Sequence, residues 1–176
     1  MTTTTGNILY AIADAVCLIR MEGRVTYVLG PSFSAFIDRL FEDGAASDVL
    51  VDLSQAIYLD STTLGLLGKL ANQAGRRLHR KITLVSPNDD VNTVLLSMGF
   101  DEVVTILRNG TRIDEELQNI PVQEKTERER AKVILDAHRL LMDMNDANAA
   151  SFRNVVDMLE DELATPENPI DKKAPG

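Results

Sequence analysis

The run DVLVDL, Asp48 to Leu53, constrains this chain more than any other stretch. Six residues carry a continuous Val and Leu core framed by aspartates, and a run that short and that apolar reads as a strand buried on both faces of a mixed or parallel sheet. Parallel neighbours need crossover helices, and the flanking sequence supplies them. Ser32 to Phe41 places Phe33, Phe36, Ile37, Leu40 and Phe41 on one helical face. Leu64, Leu67, Leu70, Ala71 and Ala74 repeat the pattern up to about Leu78, and Asp89 to Met98 turns Val91, Val94, Leu95 and Met98 inward. Between them lie candidate strands at Ile8–Ile12, Val16–Met21, Ile82–Val85 and Val103–Leu107, with a turn beginning at Glu22-Gly23 and a loop over Ser54 to Asp60. Gly99 ends its helix, since glycine takes the left-handed conformation without steric cost. Strand–helix alternation of this kind predicts an α/β layer fold.

Composition narrows the function classes. With 27 acidic and 18 basic residues the net charge is −9, which opposes nucleic-acid binding because phosphate neutralisation supplies most non-specific affinity. Aromatics are 5% and Trp is absent, so a base-stacking platform is not expected. Cys17 is the single cysteine, and His79 and His138 stand far apart, so neither a metal centre nor a cofactor is expected. No apolar run reaches the ~18 residues of a membrane-spanning helix, and MTTTTGN is not a signal sequence. The expected compartment is the cytoplasm, without direct membrane insertion.

The informative segment is VDLSQAIYLDSTTLGLLGKL, Val51 to Leu70. A buried strand leads into Asp60-Ser61-Thr62-Thr63-Leu64-Gly65 and then a helix. Ser61 falls at the helix start, where its hydroxyl is placed to cap a backbone N–H two or three residues on, or to be modified. The segment resembles the STAS family of bacterial anti-sigma factor antagonists, whose motif runs D-S-[ST]-G-[LIV]-G after a D-[LV]-S strand. Asp52-Leu53-Ser54 matches the strand, and Asp60, Ser61, Thr62, Leu64 and Gly65 match the motif. Thr63 replaces the usual first glycine, a departure that bears on loop flexibility and kinase recognition. The similarity extends over about Val16 to Leu107, including Ser97 to Phe100 before the last strand.

The resemblance implies a STAS-like layered mixed sheet packed by helices. It also implies that Ser61 is the phosphoacceptor of a non-enzymatic partner switch. The unmodified form would bind an anti-sigma factor or a GHKL-type switch kinase, and a PP2C-type phosphatase, including one fused to a response regulator, would restore that form after phosphorylation. The alternative is a non-phosphorylated STAS scaffold subunit of a membrane lipid-transport ATPase complex. An enzyme is not expected: neither histidine lies in a recognisable motif with Ser61, and no glycine-rich phosphate loop is present.

Two further features stand outside the motif. From Ser61 to Asn88 there is no acidic residue, while Lys69, Arg76, Arg77, Arg80 and Lys81 are basic. This is either a solvated helix end or a docking surface, with Lys69, Arg76 and Arg77 the candidates to steer an acidic partner. The organisation expected is a STAS domain over 1–120 (core about 8–107), a helical extension over 121–164 and a disordered tail over 165–176. The extension repeats apolar residues at helical spacing through Ile134, Leu141, Val155 and Leu159. Met144 to Asn148 is placed to divide it into two helices, and Met144 and Met158 read as core filler. The extension is expected to pack on the chain's own surface; a coiled-coil-like dimer is the competing arrangement.

Overall fold

The computed structural model describes residues 5–110 and 115–167; the tail expected to be disordered lies outside the described residues from 168 onward. The chain forms a mixed α/β fold around a six-stranded sheet of order β5-β4-β3-β2-β1-β6. β1 (Asn7–Ala13) and β2 (Val16–Val25) form an antiparallel hairpin. β3 (Asp48–Leu59), β4 (Thr83–Val85) and β5 (Thr105–Leu107) then add in parallel, each beside the last. The crossovers are α1 (Gly30–Glu42), α2 (Ser61–Arg77), and α3 (Asp89–Ser97) followed by the short α4 (Phe100–Val103). Right-handed crossovers that all advance the same way across a sheet bring their helices to one face.

The face without helices is covered only in part, so the expectation of burial on both faces for DVLVDL holds at Asp52, beside the buried Leu18 and Arg20, and fails at its neighbours. Val49, Val51 and Leu53 are buried, but Asp48, Leu50 and Ser54, on the other face, are only half-buried. The other face carries an ion pair instead. Arg20 sits opposite Asp52 across β2 and β3, with Arg20 Nε 2.9 Å from Asp52 Oδ2. Both residues are buried, so the pair fixes the register of the two central strands.

Local corrections have local causes. Glu22-Gly23 begins no turn: β2 runs through it, and Gly23 at φ 68° absorbs a bulge where the β2–β3 register shifts. Ser54 to Leu59 is not a loop but the second half of β3, paired with the extended end of β2. Val94 is 39% exposed rather than inward. Gly99, at φ 84°, ends α3 as expected but also opens α4, so the last parallel strand starts at Thr105 instead of Val103.

A strand that the sequence did not signal, β6 (Gln118–Asn119), pairs with β1. Ile120 donates to the Ile8 carbonyl and is buried, and the backbone N–H of Gln123 donates to Ser32 Oγ. The chain is thereby strapped over the β1 edge and α1 before it enters α5 (Glu127–Met144) and α6 (Asp146–Ala164). The helical extension starts later than the expected residue 121, because 121–126 form no helix and α5 begins at Glu127. A capping box of Thr126 and Glu129 starts α5. Asn145 divides the two helices, inside the stretch expected to do so, and caps α6 through Asn148 N at 2.8 Å. Met144 packs against the core, but Met158 is 72% exposed on the outer side of α6 and fills nothing.

Candidate functional site

The end of β3 delivers the site. Asp60 keeps extended dihedrals while Ser61 is already helical, so Asp60 and not Ser61 is the N-cap of α2. One carboxylate oxygen accepts from Thr63 N at 2.8 Å; the other accepts from Tyr27 N at 2.6 Å, tying the segment after β2 to the start of α2. The capping role expected of the Ser61 hydroxyl therefore belongs to its neighbour. Thr63, the departure from the motif, is built in: it is 2% exposed and its hydroxyl donates to the Val25 carbonyl at 3.2 Å. A glycine could not make that bond. Thr62 and Leu64 are buried too, whereas Ser61 is half-buried.

The Ser61 hydroxyl, freed from capping, meets a residue 77 positions away: Oγ lies 2.9 Å from His138 Nε2 on α5. His138 Nδ1 lies 2.7 Å from the Ile134 carbonyl, which can only accept. In the neutral ring Nδ1 therefore carries the proton, Nε2 accepts, and Ser61 donates. The ring is 4% exposed and stands edge-on to Phe152 of α6.

The same face of α2 lets α5 come close. A Cβ on Gly65 would lie 2.2 Å from the Ala137 carbonyl oxygen, so the two backbones touch there, while Gly68 looks toward Met144. Thr62 to Gly68 is buried on every side, between the sheet and α5. The sequence signal was present, because TTLGLLG has no charged face and a helix apolar all round is a covered helix. His138 carried no such signal.

The basic residues do not join this site. Lys69 is 2.7 Å from Asp38 of α1 and hydrogen-bonds Ser34, so its charge is already answered. Arg76 and Arg77 are exposed in the last turn of α2, roughly 22 Å from Ser61 along the helix axis. Arg80 pairs with Asp48 at 2.9 Å. Among the described residues no His, Cys, Asp and Glu cluster could hold a metal ion, and no helix is long and apolar enough to cross a membrane.

The STAS domain family model matches residues 7–119. The chain belongs to the STAS family. Comparison with curated proteins finds no match. Solved STAS-like structures share the fold. The anti-sigma factor antagonist SpoIIAA in its unphosphorylated form is 16% identical over 58% of this chain and 87% of its own, with a TM-score of 0.50. TM1081 of Thermotoga maritima is 23% identical over 56% and 78%, with a TM-score of 0.50. An anti-sigma factor antagonist from Mycobacterium paratuberculosis is 18% identical over 60% and 87%, again with a TM-score of 0.50. Asp60, Ser61 and Gly65 lie inside the STAS match, whereas Ala137 and His138, which meet them, lie beyond it.

Proposed function

We propose that this STAS chain is a cytoplasmic partner-switching regulator, an anti-sigma factor antagonist whose binding to an anti-sigma factor or GHKL-type kinase is controlled by phosphorylation of Ser61. The observation that carries the reading is the difference among three consecutive hydroxyls. Thr62 and Thr63 are 3% and 2% exposed, while Ser61 stands half-buried at the first position of α2 and is the most accessible of the three to a kinase. The names of the fold neighbours, two of them anti-sigma factor antagonists, support the class. Residues 1–120 are the switching domain in this reading and 121–164 its extension.

Physical chemistry makes Ser61 a workable switch. A phosphoserine brings about −1.5 to −2 charges at neutral pH. At a helix N-terminus the free N–H groups and the dipole favour an anion, so the domain tolerates it, although Asp60 opposes it. A partner packed against Ser61 would have to desolvate that charge, which is costly. The Ser61–His138 pair does not argue for hydrolysis. A nucleophile needs an approach for substrate beside its base, and this imidazole is closed in between α5 and α6 with a backbone carbonyl on its far nitrogen.

Mass spectrometry after incubation with the cognate kinase tests the proposal. Phosphate on Ser61 is expected, with release of the partner, and Ser61→Ala should stay in the binding-competent state. Phosphate confined to Thr62 or Thr63 overturns the assignment.

A further inference from the structure

The α5–α6 hairpin covers the first turns of α2 and is anchored there through α5, whose Ala137 and Leu141 are fully buried in the core. Its internal bonds are its own. Arg128 donates to the Leu163 and Thr165 carbonyls at the end of α6, Arg139 pairs with Glu160 at 2.7 Å, and the capping box closes α5 upon itself. It is tethered by residues 121–126, which belong to no helix or strand. Only Asn148 and Val156 of α6 are buried. Among the described residues its polar attachments to the rest of the fold are few: Asn145 and Asn148 donate to the Met98 carbonyl at 3.1 and 2.9 Å, and His138 accepts from Ser61.

We infer that this hairpin is a removable intramolecular occupant of the Ser61 face, holding the same surface that a partner protein needs and yielding it when the partner binds or Ser61 is phosphorylated. The inference rests on the switch reading above for the identity of the competitor. The geometry around Gly65 makes the two occupants exclusive, because α5 and α2 touch backbone to backbone and leave no space for a third surface. Phosphorylation acts on the same contact. Transfer from a nucleoside triphosphate forms the Oγ–P bond, breaks the bond to the departing diphosphate and removes the Oγ proton. The proton, which Ser61 donates to His138 Nε2 in the unmodified chain, leaves to the kinase's base. The phosphoryl group then needs room where Oγ and Nε2 stand 2.9 Å apart, at a place where α5 cannot shift sideways. The partner that fits is a protein presenting a close-packing, small-residue surface of the kind Ala137 presents.

Hydrogen exchange on the full-length chain tests the cover without any partner. In the wild type, α5–α6 amides are expected to exchange at least ~100-fold faster than those of β2 and β3, by opening of the hairpin alone. Gly65→Ala, which places a Cβ against the Ala137 carbonyl, should raise hairpin exchange by a further ~10-fold or more, with β2 and β3 remaining the slower set; His138→Ala, which spares the backbone contact, should act in the same direction. A second readout uses Ser61→Cys and a bulky maleimide. Cys17 is fully buried, and burial pushes its thiol up to about 12, so labelling reports position 61. Adding Gly65→Ala should speed that labelling several-fold. Hairpin amides that exchange only together with β2 and β3, or equal labelling with and without Gly65→Ala, overturn the inference. Phosphate mapping on chain isolated from cells separates the two readings. A hairpin that opens while Ser61 never carries phosphate sinks the switch and keeps the cover; a phosphorylated Ser61 under a hairpin that stays closed sinks the cover alone.

Discussion

Asp60 joins two parts of the chain with one carboxylate, capping α2 and holding Tyr27. Asp60→Ala should lower the unfolding free energy by about 0.5–2 kcal/mol, the worth of a cap. Asp60→Asn should recover part of it, because its amide oxygen still accepts from Thr63 while its nitrogen cannot accept from Tyr27; urea midpoints measure both. Asp52 gives a pH prediction. Burial disfavours its charge, but the bonds from Ser54 and the Arg20 guanidinium outweigh that and hold its carboxyl below its usual 3.8. A carboxyl held lower in the folded chain than in the unfolded one stabilises fully above about pH 4, and that stabilisation is lost as pH falls through the folded value. Urea midpoints should therefore fall as pH drops below about 4. Asp52→Asn removes this titration, so its acid slope should be shallower; an unchanged slope would remove Asp52 from the account. Asp60, Ser61 and Gly65 were legible in the sequence because a linear motif carries them. The cap was not, since whether Asp60 or Ser61 caps α2 depends on the dihedral at one position.

The glycines of α2 separate packing from helix propensity. Gly75 has open space where a Cβ would go, and a Cβ on Gly68 would meet Met144 Sδ at an ordinary 3.9 Å. Replacing either by Ala removes a backbone entropy cost and should stabilise the chain by up to about 1 kcal/mol, a rise in melting temperature being the check. Gly65→Ala makes the same helix gain and should nonetheless lose stability, because the Ala137 backbone occupies the space. At the other end of the helix, Arg76 and Arg77 complement the C-terminal dipole. Reversing both to Glu should cost roughly 0.3–1 kcal/mol each; if they steer a partner, the on-rate at low salt should fall as well, with dissociation less affected. Periodicity located α1, α2 and α3 because each carries apolar residues at helical spacing, although the first turns of α2 are buried all round and Val94 of α3 is exposed. It failed at Ser54–Leu59, where a polar start and no clean alternation hide a strand that extends only because the bulged end of β2 pairs with it.

Across the whole molecule, the hairpin lies over the STAS domain as a further layer on α2, and the full-length chain should scatter light as a monomer. Truncation after Ile120 should expose Gly65, Leu66 and Gly68 and raise the binding of a hydrophobic dye. A stable dimer that turns monomeric on truncation would make the hairpin an oligomerisation element instead. Apolar spacing, a capping box and a dividing Asn between two helical stretches are properties of neighbouring residues, and the sequence alone determined the α/β alternation, the STAS motif and the existence of the extension through them. Those same patterns say that α2 and α5 each need cover and do not say by what, because any apolar face satisfies the hydrophobic effect equally. Only the tertiary structure decided that they cover one another, that backbone contact at Gly65 sets their register, and that His138 thereby arrives at the hydroxyl of Ser61.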